Sequence, residues 1–206
     1  DESISRIDTL VGDGTTAAPT AGAFGPKSAL ARPQGLAVDS AGNIYVASEL
    51  QDRVLRIDPF GVVTVVAGDG DEDSDGDGGL AVDASVGRPQ GLAVDGAFLY
   101  IAEGVSNGGV RRVDLGSGLI SRIATVNGIE GMALDGSGNL VAARPSFQEV
   151  VRIDVATGTS TRVAGTGSFG TGADGVAATS SALRSPTGVH VDSNGDILIA
   201  DTFSHR

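Results

Sequence analysis

The stretch PQGLAVD at residues 33–39 occurs again, unchanged, at residues 89–95, and this repetition decides the fold. Two related stretches follow, IEGMALD at 129–135 and PTGVHVD at 186–192. The glycines that the four copies share are 56, 40 and 57 residues apart. Because recurrence at such spacings is the signature of repeat architectures, the chain is built from one supersecondary unit used several times.

Each copy begins a succession of short apolar runs separated by turn residues. In the first unit these further runs are 44–47, 54–58 and 62–67, rich in Val and Ile. Connections such as SAGN at 40–43 and SNGD at 193–196 supply the positive φ that tight hairpins need. No long window shows helical periodicity. Four antiparallel strands per unit are typical of a propeller blade, so the sequence predicts an all-β chain folded as a β-propeller of four-stranded blades, with about four blades' worth of sequence.

Composition fits this fold and excludes several classes of protein. The 206 residues include 32 glycines, 40% hydrophobic and 4% aromatic residues. A formal net charge of −12 argues against a nucleic-acid partner, because such binding depends on basic patches that release counterions. The absence of cysteine excludes a disulfide framework and thiolate metal sites. No apolar run reaches the ~18 residues of a membrane helix, so we expect no membrane span.

The repeat boundaries divide one propeller domain, residues 1–206, into blades. We predict blades at 33–68, 89–126 and 129–165, the first strands of an incomplete blade at 186–206, and the outer strand or strands of another at 1–12. Three linkers of 25 residues, 11–35, 67–91 and 164–188, align without a gap. One apolar position in them is expected to fill the contact between neighbouring blades; it is held by Leu30, Val86 and Leu183. Two arrangements remain open: a closed four-bladed ring completed by the N-terminal strand, or an arc of a larger propeller.

The order of motifs resembles the NHL-repeat β-propellers. The first unit reads GLAVD at 35–39, GNIYVA at 42–47 and RVLRID at 53–58, and one linker contains DGDGGLA at 75–81. The resemblance is greatest to the bacterial, extracellular type and covers nearly the whole chain. It implies a ring that commonly has six blades, which favours the arc. It also implies an extracellular or cell-surface location, with the periplasm as an alternative, but no single function, since this fold hosts unrelated activities.

The second linker contains the most concentrated charge of the chain. Five Asp and one Glu occur between residues 69 and 77. Alternating carboxylates followed by a glycine match the opening of a calcium loop, in which oxygens converge on a hard cation. We therefore predict calcium as a cofactor, with four candidate ligands: Asp71, Asp73, Asp75 and Asp77. The alternative is a solvated acidic loop, because the glutamate that closes a calcium loop is missing and the other two linkers lack most of these acids.

A second candidate site lies directly before the shared glycines. These positions hold Gln34, Gln90, Glu130 and Thr187 and are expected to ring the mouth of the central channel, where propellers commonly bind ligands. A catalytic metal needs several convergent acids or histidines, and Glu130 is the single acid of this set. No catalytic residue is predicted from it.

The sequence thus favours a non-catalytic binding or scaffolding propeller that holds a protein or glycan partner outside the bacterial cytoplasm. One alternative is an enzyme, a divalent-metal lyase or lactone hydrolase with its site at the channel mouth. Another is a structural subunit of a surface assembly, which would self-associate through its incomplete terminal blades, because exposed strand edges pair readily with other chains.

Overall fold

Short antiparallel strands carry nearly all the regular structure. The computed structural model describes residues 8–19 and 22–206, and in that part of the chain the helical segments are 3-10 turns of three residues. Fourteen strands form four separate antiparallel sheets, three with four strands and one with two. The all-β prediction is therefore confirmed.

The sheets follow the repeats, and each is numbered here as a blade. Blade 1 consists of β1 (Pro33–Val38), β2 (Ile44–Ser48), β3 (Arg53–Ile57) and β4 (Val63–Ala67). Blade 2 consists of β5 (Pro89–Val94), β6 (Phe98–Glu103), β7 (Val110–Asp114) and β8 (Ile120–Ala124). Blade 3 consists of β9 (Gly131–Leu134), β10 (Leu140–Arg144), β11 (Glu149–Ile153) and β12 (Ser160–Ala164). Blade 4 consists of β13 (Pro186–Val191) and β14 (Ile197–Asp201).

An aspartate fixes the first hairpin of every blade. In blade 1, Asp39 Oδ1 accepts hydrogen bonds from the backbone N–H groups of Ala41, at 3.0 Å, and Asn43, at 2.9 Å. The same arrangement recurs at Asp95, Asp135 and Asp192. A short carboxylate side chain can satisfy the turn's own N–H groups in this way. The repeated Asp is thus explained by turn formation.

Hydrophobic contacts between neighbouring blades form the core. One cluster joins the face of blade 1 that contains Tyr45 and Ala47 to the face of blade 2 that contains Leu92 and Ile101. Equivalent clusters join blade 2 to blade 3 and blade 3 to blade 4. Val86 lies in the first of these clusters and Leu183 in the last. The expectation that this linker position fills the contact between blades is confirmed for these two residues.

The innermost strands of the blades follow one another in sequence order, and glycine makes their close approach possible. β1 packs against β5, β5 against β9, and β9 against β13. A Cβ on Gly35 would overlap the carbonyl oxygen of Gln90, and one on Gly131 would overlap that of Thr187. Gly is therefore required at Gly35 and Gly131, because the backbone of the next blade occupies the space of a side chain there.

The row of blades is open at both ends. Leu36 on β1 is 61% exposed and Leu198 on β14 is 55% exposed, so blades 1 and 4 do not cover each other. Val11 and Leu30 of the first linker pack on the outer face of blade 1 instead. Of the predicted N-terminal strand, residues 1–7 lie outside the described residues, and residues 8–12 have no regular secondary structure. Within residues 8–19 and 22–206, no helix has the length and apolar character that a membrane span requires.

Candidate functional site

The predicted channel-mouth residues lie side by side along the innermost strands. Close approach between these strands brings Gln90 next to Gly35, Glu130 next to Gly91, and Thr187 next to Gly131. The structure therefore places Gln34, Gln90, Glu130 and Thr187 in the predicted order. These four residues therefore lie on successive innermost strands.

A second carboxyl group, which sequence reasoning missed, lies close enough to Glu130 to act on it electrostatically. Glu49, in the 3-10 turn after β2, is buried; it forms an ion pair with Arg32 Nε at 3.0 Å and accepts a hydrogen bond from Gln34 Nε2. Glu130 itself is exposed, but partial desolvation by its surroundings, followed by repulsion from Glu49, raises its pKa. Glu49 lacks an acidic counterpart at the same position in the other blades, so the repeat pattern gave no signal for it.

The acidic linker forms one wall of a groove on the surface of blade 2. This groove of about 710 Å³, called the seam groove here, runs between residues 71–75 and residues 104–107 of the loop after β6. Its carboxylates come from Asp71, Glu72, Asp73 and Asp75. The guanidinium of Arg88 also lines it and is paired with Glu72 at 2.7 Å. The groove is therefore acidic over most of one wall.

The fourth predicted calcium ligand has a different partner. Asp77 Oδ1 forms an ion pair with Arg111 Nε at 2.9 Å, and Arg111 Nη2 donates to the backbone carbonyl of Asp75 at 2.9 Å. No group of three or more acidic or histidine side chains placed to hold a metal ion was found within residues 8–19 and 22–206. Asp71, Asp73 and Asp75 do line one groove, but Asp77 turns towards Arg111. Calcium binding by this loop thus stays a prediction.

Arg111 is the central residue beneath the groove. Its side chain is fully buried and also pairs with Glu103 Oε1 at 3.2 Å, while Ser74 donates to Glu103 Oε2 at 2.6 Å. Burial raises the pKa of Glu103, although the hydrogen bond from Ser74 and the charge of Arg111 favour its ionised form. A buried guanidinium needs such partners because an unpaired buried charge is costly.

A second arginine connects this network to the opposite wall. Arg122 Nη2 donates to Ser74 Oγ at 2.6 Å, and its Nη1 donates to the carbonyl of Asn107 at 2.9 Å. Both walls of the seam groove are therefore hydrogen-bonded to side chains of blade 2. This rigid support favours binding, because less conformational entropy is lost when a partner docks.

The sequence did contain a signal for this network. The position of Arg111 in β7 corresponds to Leu55 in β3 and Val151 in β11, both buried and apolar. An arginine at an apolar repeat position must find counter-charges, and the neighbouring linker is the most acidic of the chain. The acids of the linker were predicted from the sequence, whereas Arg111, which pairs with Asp77 and donates to the carbonyl of Asp75, was not.

Comparison with known proteins supports the fold. No protein-family profile matches the sequence, and no curated protein matches it. A catalytically inactive virginiamycin B lyase from Staphylococcus aureus, solved with quinupristin, is 15% identical, with a TM-score of 0.56 over 84% of this chain and 50% of that chain. A chain of the nidogen–laminin complex is 15% identical, with a TM-score of 0.58 over 81% of this chain and 56% of that chain. The fold is a β-propeller.

A third solved structure of this fold is hydrazine synthase from Kuenenia stuttgartiensis. It is 20% identical, with a TM-score of 0.56 over 84% of this chain and 43% of that chain. The chain thus spans about half the length of these solved neighbours. At such identities the likeness shows the propeller fold alone.

Proposed function

We propose that the chain is a non-catalytic binding propeller of the NHL type that holds a protein partner through the seam groove. The observation that carries this proposal is the groove itself, with acids along one wall and both walls fixed by Arg111 and Arg122. A neighbour of the same fold occurs in the nidogen–laminin complex, which supports a role in protein binding.

The negative charge of the groove indicates that its partner is positively charged. Four carboxylates face one guanidinium, which is already paired with Glu72, so the groove attracts a cationic chain. A segment of a partner protein with exposed lysine or arginine residues fits this pattern. The attraction weakens with salt, because exposed charges are screened beyond about 8–10 Å at physiological ionic strength.

Binding of a synthetic peptide of alternating glycine and lysine, followed by fluorescence anisotropy, tests the proposal. Asp73→Asn with Asp75→Asn should raise the Kd about 2- to 30-fold, because two exposed ion pairs are lost and each contributes about 0.2–1 kcal/mol. The matched control, Asp174→Asn with Asp196→Asn, removes the same charge from exposed positions outside the groove. Equal losses in both variants would show attraction to the net charge alone and would contradict a groove site. Binding of neutral oligosaccharides instead of the peptide would favour the glycan alternative.

We also propose that the acidic loop binds calcium through its predicted ligands, Asp71, Asp73, Asp75 and Asp77, which would have to come together around the ion and, for Asp77, leave Arg111. A cation that binds only the folded chain raises the melting temperature by mass action, so a chelator should lower it. Asp73→Ala with Asp75→Ala should abolish the difference between calcium and chelator. A melting temperature of the unmutated chain that is the same with calcium and with chelator would refute calcium binding.

The enzymatic alternative has less support at the channel mouth. Glu49 is already bound to Arg32 and Gln34, and Glu130 is the remaining carboxyl group there. The lyase among the structural neighbours is 15% identical, a level at which only the fold is informative. An extracellular or cell-surface location is proposed with the binding role and rests on the NHL resemblance and the acidic composition.

A further inference from the structure

Two cavities occupy the same place on successive blades. The one on blade 2, called the blade 2 pocket here, has a volume of about 270 Å³, and the one on blade 3 has a volume of about 390 Å³. Each is lined by an arginine of the third strand, the hydroxyl residue paired with it on the fourth strand, and the aspartate two positions after the arginine: Arg112, Ser121 and Asp114 on blade 2, and Arg152, Thr161 and Asp154 on blade 3. The repeat therefore builds the same polar frame twice.

The hydrogen-bond donors of the blade 2 pocket are available to a ligand. The guanidinium of Arg112 lies over the Phe98 ring, 4.7 Å from its centroid, and this contact holds the side chain in place. Within residues 8–19 and 22–206, the side chains of Arg112 and Ser121 make no hydrogen bond. A guanidinium offers five N–H donors, and a hydroxyl offers both a donor and an acceptor. The pocket thus presents unused hydrogen-bonding groups on two adjacent strands.

The same pocket contains an ionised acceptor. The backbone N–H groups of Ser117 and Gly116 each donate to Asp114 Oδ1 at 2.9 Å. These hydrogen bonds hold the pKa of Asp114 below its ordinary value, and its carboxylate keeps lone pairs for a ligand hydroxyl. Because the lining holds one guanidinium and one carboxylate, the pocket has no net charge and fits a neutral ligand better than an anion or a cation.

Apolar surface completes the lining. Phe98 and Leu119 both line the pocket, and Leu119 is 46% exposed. A sugar ring matches this combination, because its C–H groups pack on apolar side chains while its hydroxyls donate and accept hydrogen bonds. The volume lies just below the ~300–1,000 Å³ of typical small-molecule sites, which suits one ring. From these groups we infer that the blade 2 pocket binds one pyranose ring of a neutral glycan.

The cavity on blade 3 lacks two of the features that this ligand needs. Asn139 and Thr159 stand where the blade 2 pocket has its two apolar residues, so the contact for the C–H groups of a sugar is missing. Arg152 Nε also pairs with Asp135 Oδ2 at 2.9 Å, which occupies part of its guanidinium. We therefore expect sugar binding on blade 2 and not on blade 3.

Titration with four disaccharides (cellobiose, maltose, lactose and diacetylchitobiose), followed by the NMR chemical shifts of the Arg112 Nε–H and the Ser121 amide, tests the inference. At least one disaccharide should shift both signals, with a Kd of about 1–10 mM for one ring of ~12 non-hydrogen atoms. Arg112→Met keeps the aliphatic stem and should raise this Kd at least about 10-fold, because hydrogen bonds from a charged donor are lost. Ser121→Ala should raise it about 2- to 10-fold. Arg152→Met, the matched control on blade 3, should leave it unchanged.

The other outcomes overturn the inference. No shift of either signal at the highest soluble concentration of any of the four disaccharides would show that the pocket does not bind sugar. Equal losses in Arg112→Met and Arg152→Met, or shifts confined to residues outside the pocket, would place the binding elsewhere. Binding of glucose 6-sulfate without binding of the neutral sugars would show an anion site around Arg112. The blade 2 pocket shares no residue with the seam groove, so these outcomes do not depend on peptide binding there.

Discussion

Arg111 shows how one residue changes the chemistry of a repeat. In blade 1 the corresponding buried position holds Leu55, and the position at the end of the second strand holds Ser48. Blade 2 has Arg111 and Glu103 there, both fully buried and paired at 3.2 Å. The same two positions thus hold an uncharged pair of residues in blade 1 and an ion pair in blade 2. Burial of an ion pair is not in itself stabilising, because desolvation opposes the attraction.

This comparison predicts a strong coupling between Arg111 and Glu103. Arg111→Leu should destabilise the chain by about 3–5 kcal/mol, because it leaves the Glu103 carboxylate buried without its counter-charge. Adding Glu103→Ser restores the blade 1 combination and should recover most of this loss. Urea denaturation of the two single variants and the double variant measures the coupling. Additive losses would contradict the account.

The raised pKa of Glu130 predicts that the stability of the folded chain depends on pH. Its pKa in the folded chain is raised above the ordinary 4.5 by partial desolvation and by the charge of Glu49. A raised pKa means that the folded state favours the protonated carboxyl group, so stability is lost as the pH rises through the folded value. Glu130→Gln should therefore raise the melting temperature at pH 7, and this gain should disappear below pH 4. A variant less stable than the unmutated chain at pH 7 would contradict the assignment.

The innermost strand is the element that defines the propeller, and in blades 1 and 3 its shared glycine has no room for a side chain. Gly131 has no room for a Cβ because the carbonyl of Thr187 occupies that space, whereas Gly188 has no such neighbour. In the sequence, these glycines mark the repeat by their spacing. Their physical role became visible only in the packing of one sheet against the next.

This difference gives a matched pair of substitutions. Gly131→Ala should destabilise the chain by about 1–3 kcal/mol, because the clash is with backbone that must move. Gly188→Ala should be neutral, or stabilising by up to about 1 kcal/mol through a less flexible unfolded chain. Thermal melts of the two variants and of the unmutated chain, compared at one protein concentration, measure the difference. Equal losses at the two positions would contradict the order of the blades.

The linker is the element that sequence predicts least completely. Its equal length in three copies predicted an apolar residue between blades, and Val86 and Leu183 confirm this. The acids of the second linker were found as a cluster, but their partners lie far along the chain, on β7 and β8. Such contacts depend on how the linker crosses the blade, and composition holds no information about that path.

The whole molecule is a row of blades in which every contact repeats the previous one. Self-similarity predicted the number of strands per blade and their order, because each blade must bury its two faces against neighbours. It did not decide between a closed four-bladed ring and an arc of a larger propeller. The structure shows an open row, since Leu36 and Leu198 at its ends remain exposed.

Nuclear Overhauser contacts between successive innermost strands test the propeller most directly. A Cβ placed on Gly35 would lie 2.8 Å from the backbone nitrogen of Leu92. One placed on Gly91 would lie 3.4 Å from the backbone nitrogen of Met132, and one placed on Gly131 would lie 3.0 Å from the Cα of Gly188. The account predicts cross-peaks from the glycine Hα protons to all three partners. It predicts none between Gly35 and Gly131, which belong to blades that do not adjoin. Missing contacts between successive glycine positions, or a direct contact between Gly35 and Gly131, would contradict the arrangement of blades around an axis.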